Sequence, residues 1–263
     1  MSARRVGILT GGGDCPGLNA VIRAVARKGI DVYDMEIIGI LEGWRGMMEG
    51  LYKPLDLKAV SGILPKGGTI LGTSRTNPFS EEKGDLTVKD NMARVGLDAL
   101  IAVGGDDTIG VASQLYEDGV KVVGVPKTID NDLDGTDQTF GFDTAINIVM
   151  EAVDRLHTTA ESHNRVMVCE VMGRHAGWIA VESGIAGGAD VVLIPEEPFR
   201  LQDVCDVIRL RHERGKTFSI IVVAEGAKLA DDSMVLQSDE RDAFGHVRLG
   251  GIGNVLGLSL IHI

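Results

Sequence analysis

Aromatic residues make up only 4% of this 263-residue chain, and there are three cysteines and seven prolines. So few aromatics leave little for stacking against single-stranded nucleic acid. Cys15, Cys169 and Cys205 are odd in number and far apart, which reads as reduced thiols rather than a disulfide framework. No apolar run is long enough to cross a bilayer, and Met1–Val6 leads into a strand-like stretch rather than a signal-peptide core. Positive charge is also short: 26 Lys plus Arg stand against 38 Asp plus Glu, for a net charge of −12. That balance repels nucleic acid and anionic membrane surfaces. We therefore expect a cytoplasmic protein with no nucleic-acid and no membrane partner. There is no Pro-rich linker, low-complexity tract or repeat of solenoid length.

Glycine is abundant, at 35 residues, and apolar runs alternate with helical patterns. Val6–Thr10, Glu36–Leu41, Leu100–Val103, Val120–Val125, Val166–Val171, Val191–Ile194 and Ser219–Ala224 read as buried strands. Their near-continuous apolarity is that of parallel strands covered on both faces. In Asp143–Thr159, Ala145, Val149, Ala152, Val153 and Leu156 fall on one helical face, with Asp143 as the expected N-cap. This alternation predicts an α/β fold with mainly parallel sheets. Ligands in such folds collect at the carboxyl ends of strands, where the Gly and Asp clusters of this chain lie.

Four clusters carry chemistry. Gly11–Gly17 follows the first strand, and its amides suit an anion, although the spacing is neither a Walker A loop nor G-x-G-x-x-G. In Gly104-Gly-Asp-Asp-Thr108 the glycines admit a polyphosphate, and Asp106 is placed to hold Mg²⁺. The competing reading is a solvated acidic turn. In Pro126–Asp132, Asp130 suits a general base, Thr128 a phosphate donor group and Lys127 a counter-charge; the alternative is a structural turn. In Glu170–Trp178, Arg174 follows a strand and can clamp phosphate, and Arg165 is a second candidate; either alone is more ordinarily a surface residue. The histidines have no zinc-ligand spacing, and there is no G-x-S-x-G elbow.

Taken together, Gly11–Asp14, Gly72–Arg75, Gly104–Thr108, Pro126–Asp132, Met172–Arg174 and Ala224–Glu225 resemble the phosphofructokinase family, in family order from about Arg5 to about Asn254. Thr128–Asp132 combined with Met172–Arg174 is the specific part. The resemblance implies two Rossmann-like lobes with mainly parallel sheets covered by helices. It places a phosphoryl-donor and Mg-binding lobe at 1–140 and a sugar-phosphate lobe at 141–254. It implies donor contacts from Gly13, Arg75, Gly105 and Thr108, and Mg²⁺ on Asp106. Asp130 would take the proton from the 1-hydroxyl of fructose 6-phosphate, with Thr128 and Arg174 steadying the transferred group. Ile129, Met172, Gly173 and Glu225 would position the sugar. Arg165 would reach the 6-phosphate from a neighbouring subunit of a homodimer or homotetramer.

Donor choice rests on Asp107 and Lys127. ATP-dependent members usually carry Gly at the first position and commonly at the second; the pair here resembles pyrophosphate-dependent members. A carboxylate where the α-phosphate of ATP would lie puts two like charges about 4 Å apart, a cost of about 4 kcal/mol at an effective dielectric of about 20. Even ~3 kcal/mol is roughly a hundredfold in affinity. Pyrophosphate ends before that point, and Lys127 offsets its charge. Asp107, Lys127, Asp130 and Arg174 thus form the expected catalytic set. Gly11 departs from the Ser of many ATP enzymes.

Three other readings stay open: an ATP-dependent 6-phosphofructokinase, a non-catalytic sugar-phosphate-binding regulatory subunit, and an NAD kinase. Intact Asp106, Thr128, Asp130 and Arg174 argue against the second, and Thr128–Asp132 against the third. The ending at 255–263 reads as a truncated or non-native tail of a longer protein, so this chain is expected to be impaired as an enzyme.

Overall fold

A computed structural model describes residues 4–230, 233–241 and 244–261. The chain forms two compact units. The first comprises Met1–Thr128, Leu133–Gly141 and Asp242–His246; the second comprises Ile129–Asp132, Phe142–Arg241 and Val247–Ile263. The main division thus falls after Gly141, with two short excursions, 129–132 and 242–246, to the other unit.

The first unit runs β1 (Arg5–Thr10), α1 (Leu18–Tyr33), β2 (Glu36–Ile40), α2 (Gly43–Glu49), β3 (Tyr52–Pro54), a 3₁₀ turn at Pro78–Ser80, α3 (Gly84–Val95), β4 (Ala99–Gly104), α4 (Asp106–Glu117), β5 (Val122–Thr128) and β6 (Phe140–Gly141). The strands make one sheet in the order β3-β2-β1-β4-β5-β6. All its pairs are parallel except β2 with β3. Ile8, Ile22 and Leu71 pack in one apolar cluster of this unit, and Leu9, Trp44 and Leu115 in another. The crossovers through α1 and α4 return the chain to a parallel neighbour, and β1, β4 and β5 all run parallel, so the loops after these three strands gather at one sheet end.

The second unit contains α5 (Phe142–His163), β7 (Val166–Val171), α6 (Trp178–Ala186), β8 (Val191–Leu193), α7 (Leu201–Glu213), β9 (Ser219–Ala224), β10 (Leu236–Arg241), β11 (Val247–Leu249) and α8 (Ile252–Leu260). Its sheet is parallel, in the order β7-β9-β8, and β10 pairs antiparallel with β11. The central strand β9 is buried along its whole length.

All seven expected strands form. The differences have local causes. Asp143 lies inside the first turn of α5 rather than capping it, because the helix already begins at Phe142. β5 runs on through Thr128, so Lys127 and Thr128 belong to the strand and pair with Phe140 and Gly141 of β6. It is also less covered than expected, with Val123 61% exposed. Residues 255–260, expected as a tail, form most of α8, whose Ile252 and Leu256 are fully buried. His262 and Ile263, counted in the same tail, lie outside the described residues.

Candidate active site

In the first unit, the loop after β1 is held from three sides. The Gly11 amide donates to the Val103 carbonyl at 2.9 Å, the Gly12 amide to the Ser74 carbonyl at 3.4 Å, and the Thr73 hydroxyl to the Gly12 carbonyl at 2.5 Å. The segment carrying Arg75 is therefore laced to the glycine loop, and Arg75 itself is exposed. Gly13 is exposed, and a Cβ built there would meet nothing within 4 Å. Lys127 is the reverse: only 6% exposed, it sends its ammonium to the Gly13 carbonyl at 2.6 Å. A cation beneath a glycine loop turns that loop into an anion-seeking surface.

Asp106 and Asp107 occupy the first turn of α4, with Gly105 as N-cap. Unsatisfied amides at a helix start favour negative charge there. Asp106 is exposed, and Asp107 is partly buried. Thr108 is 2% exposed, and its side chain sits under two glycines. A Cβ at Gly11 would fall 2.5 Å from Thr108 Oγ1, and one at Gly104 would fall 2.4 Å from Thr108 Cβ. That side chain supports the loops from beneath rather than facing a ligand. Cys15, on the same loop, has its thiol pushed up to about 11 by burial, opposed by Lys127 and reinforced by Asp14.

Among the described residues, no group of three or more His, Cys, Asp or Glu is arranged to hold a metal ion. A cation at Asp106 would take its remaining ligands from phosphate and water, which is how Mg²⁺ is ordinarily held. The exposed carboxylate fits that donor set.

In the second unit, Met172, Gly173 and Arg174 follow β7 directly. Gly173 has φ 141°, and a Cβ there would lie 2.7 Å from the Ala176 carbonyl oxygen, so only glycine makes this turn without strain. Its carbonyl accepts from the Gly226 amide at 3.0 Å, tying the turn to the one after β9. Met172 is exposed. Glu225 stands on that second turn. Burial raises its carboxyl above the usual range, Arg174 pulls it down and Glu170 adds to the rise. Met172, Gly173, Arg174 and Glu225 therefore share one end of this sheet. Arg165 does not: it precedes β7, whereas Met172 follows it. Six residues of strand put about 20 Å between those ends. Ile129 and Asp130 are partly buried and group with the second unit, while Lys127 and Thr128 group with the first.

Two contributors have no signal in local spacing. Glu170 accepts from the amides of Gly251 at 2.9 Å and Gly253 at 2.8 Å, capping α8 from a strand far away in sequence. His246 Nε2 lies 3.2 Å from Asp107 Oδ1.

Residues 5–256 match the family model described as phosphofructokinase. The chain belongs to the phosphofructokinase family. It is 60% identical over 253 residues to a pyrophosphate--fructose 6-phosphate 1-phosphotransferase of Streptomyces coelicolor, covering 96% of this chain and 74% of that protein. It is also 53% identical over 256 residues to the ATP-dependent 6-phosphofructokinase 2 of the same organism, covering 97% and 75%. Among solved structures, phosphofructokinase from Saccharomyces cerevisiae superposes with a TM-score of 0.82 at 31% identity. That match covers 98% of this chain, which spans about a third (36%) of the yeast chain. The expected phosphofructokinase-like α/β fold is thus present, and both donor classes are near relatives.

Proposed function

We propose that this phosphofructokinase transfers a phosphoryl group from pyrophosphate to the 1-hydroxyl of fructose 6-phosphate. The observation that carries the donor choice is the pairing of Asp107, at the start of α4, with a buried Lys127 bonded to the glycine loop. A carboxylate at that helix start opposes the α-phosphate of ATP, and a lysine under the loop suits a short, densely charged anion. The similarity to pyrophosphate-dependent relatives points the same way.

In this reading Gly13, Gly105 and Arg75 take the donor, the first two through backbone amides. Thr108 contributes through the loops it supports. Asp106 holds Mg²⁺, which when bound screens charge on the phosphates. Asp130 accepts the hydroxyl proton as the oxygen attacks, while Lys127, Thr128 and Arg174 stabilise charge on the group in flight. Ile129, Met172, Gly173 and Glu225 orient the sugar. Glu225 held above the usual carboxylate range suits a hydrogen-bonding partner for sugar hydroxyls. Arg165 is assigned to the 6-phosphate of a second subunit in a homo-oligomer, a role supported by its place at the far end of β7 from Met172. Among the described residues, no helix is long and apolar enough to cross a membrane. A cytoplasmic location is part of this reading through the activity proposed.

The ATP-dependent activity of the second relative is the alternative. The test compares fructose 1,6-bisphosphate formation with pyrophosphate and with ATP, for wild type and Asp107→Gly. Both this chain and a version extended at its C-terminus to the length of its relatives are assayed. Pyrophosphate preferred by wild type, with improved use of ATP in the variant, is the expected result. A wild type that prefers ATP overturns the donor assignment.

A further inference from the structure

Asp107 has a partner from far along the chain. His246 Nε2 lies 3.2 Å from Asp107 Oδ1 across 139 residues of sequence. A carboxylate only accepts, so Nε2 is the protonated nitrogen of the pair. Both residues belong to the first unit, although the strands flanking Asp242–His246 belong to the second. Phe244 packs against the apolar cluster around Leu9, Trp44 and Leu115, and Gly245, with φ 87°, turns the backbone just before His246. The imidazole is thus delivered to Asp107 by an anchored turn, not by a loose side chain.

The two side chains remain 39% and 36% exposed. An ion pair or hydrogen bond this open contributes little to folding stability. Its consequence is orientation. An aspartate in the first turn of a helix has several staggered side-chain positions, and only some of them present its charge to a donor phosphate. We propose that His246 is a donor-selecting positioning residue. By fixing the Asp107 carboxylate it sharpens exclusion of the α-phosphate of a nucleoside triphosphate, and so preference for pyrophosphate. This rests on the donor role given to Asp107 above and adds a second determinant to it.

The test measures dissociation constants for Mg-pyrophosphate and Mg-ATP by calorimetry on the chain itself. It uses wild type, His246→Ala, His246→Gln, His246→Asn, Asp107→Gly and the Asp107→Gly/His246→Ala double variant. His246→Ala is expected to lower the pyrophosphate-over-ATP ratio about tenfold, the scale of losing one hydrogen bond to a charged group. His246→Gln, whose amide N–H can stand where Nε2–H stands, restores the ratio; the shorter Asn does not. In the Asp107→Gly background, His246→Ala adds nothing. Should the alanine variant fail to fold, the Gln and Asn variants still decide. An unchanged ratio in His246→Ala or His246→Asn, or an equal shift with and without Asp107, overturns the role of His246 alone. A folded wild type that favours ATP, or binds neither donor, overturns the donor reading beneath it.

Discussion

Asp130 and Cys15 show two different uses of a titratable side chain. In the proposed mechanism Asp130 is the general base and acts only as the hydroxyl loses its proton. Asp130→Asn is therefore expected to lower kcat by about 10²–10⁴-fold. Fructose 6-phosphate binding should stay within a few-fold, checked by steady-state kinetics and direct titration. Cys15 is a buried thiol beside Lys127, with its ionisation moved from 9.0 to about 11 chiefly by burial. A folded value above the unfolded one means the stabilisation is fully present below pH about 9 and is lost as pH rises through about 11. The stability of wild type relative to Cys15→Ala should therefore fall over that window, by at most about 3 kcal/mol. Urea unfolding at several pH values measures it. A difference that does not change with pH would refute the assignment.

At the scale of elements, the loops after β1 and β4 are built around one buried threonine. Gly11 and Gly104 both press on Thr108, so a methyl group at position 11 has nowhere to go. Gly11→Ala should cost about 1–3 kcal/mol, the usual range for overpacking. Adding Thr108→Ala should return part of that cost, since it removes the Oγ1 and Cγ2 atoms the new methyl would strike. The same contact explains why the Ser found here in many ATP enzymes would be tight in this chain. In the second unit, Glu170 caps α8 through the amides of Gly251 and Gly253. Glu170→Ala removes both acceptors and the favourable charge at the helix start, an expected loss of about 1–2 kcal/mol. Glu170→Gln should lose less. Thermal unfolding of the two variants distinguishes a cap from a surface carboxylate.

For the molecule as a whole, the shared site proposed from the place of Arg165, at the opposite end of β7 from Met172, has a direct consequence. A chain lacking Arg165 should retain its own Asp130 but deprive a neighbour of a phosphate contact. Arg165→Ala is expected to raise the fructose 6-phosphate KM with little change in kcat. Mixing Arg165→Ala chains with Asp130→Asn chains should recover activity that neither variant has alone at low substrate. Failure to recover after the subunits have exchanged would place Arg165 outside any shared site.

Sequence alone determined the strands of both units and the clusters that end them. Buried parallel strands are almost continuously apolar, and glycine with aspartate at their ends departs from that pattern sharply. It also marked Gly13, Asp106, Asp107, Lys127, Asp130, Arg174 and Glu225. It did not reveal the short strands β3, β6 and β11, too brief for a period to register, nor β10, whose Leu236–Arg241 run is mostly polar. Tertiary structure alone decided which face of α4 carries Thr108 inward, that Glu170 caps α8, and that His246 meets Asp107. Periodicity reports how a segment relates to its own neighbours along the chain. Contacts across 81 or 139 residues depend on how sheets, turns and helices are assembled, and no local pattern encodes them.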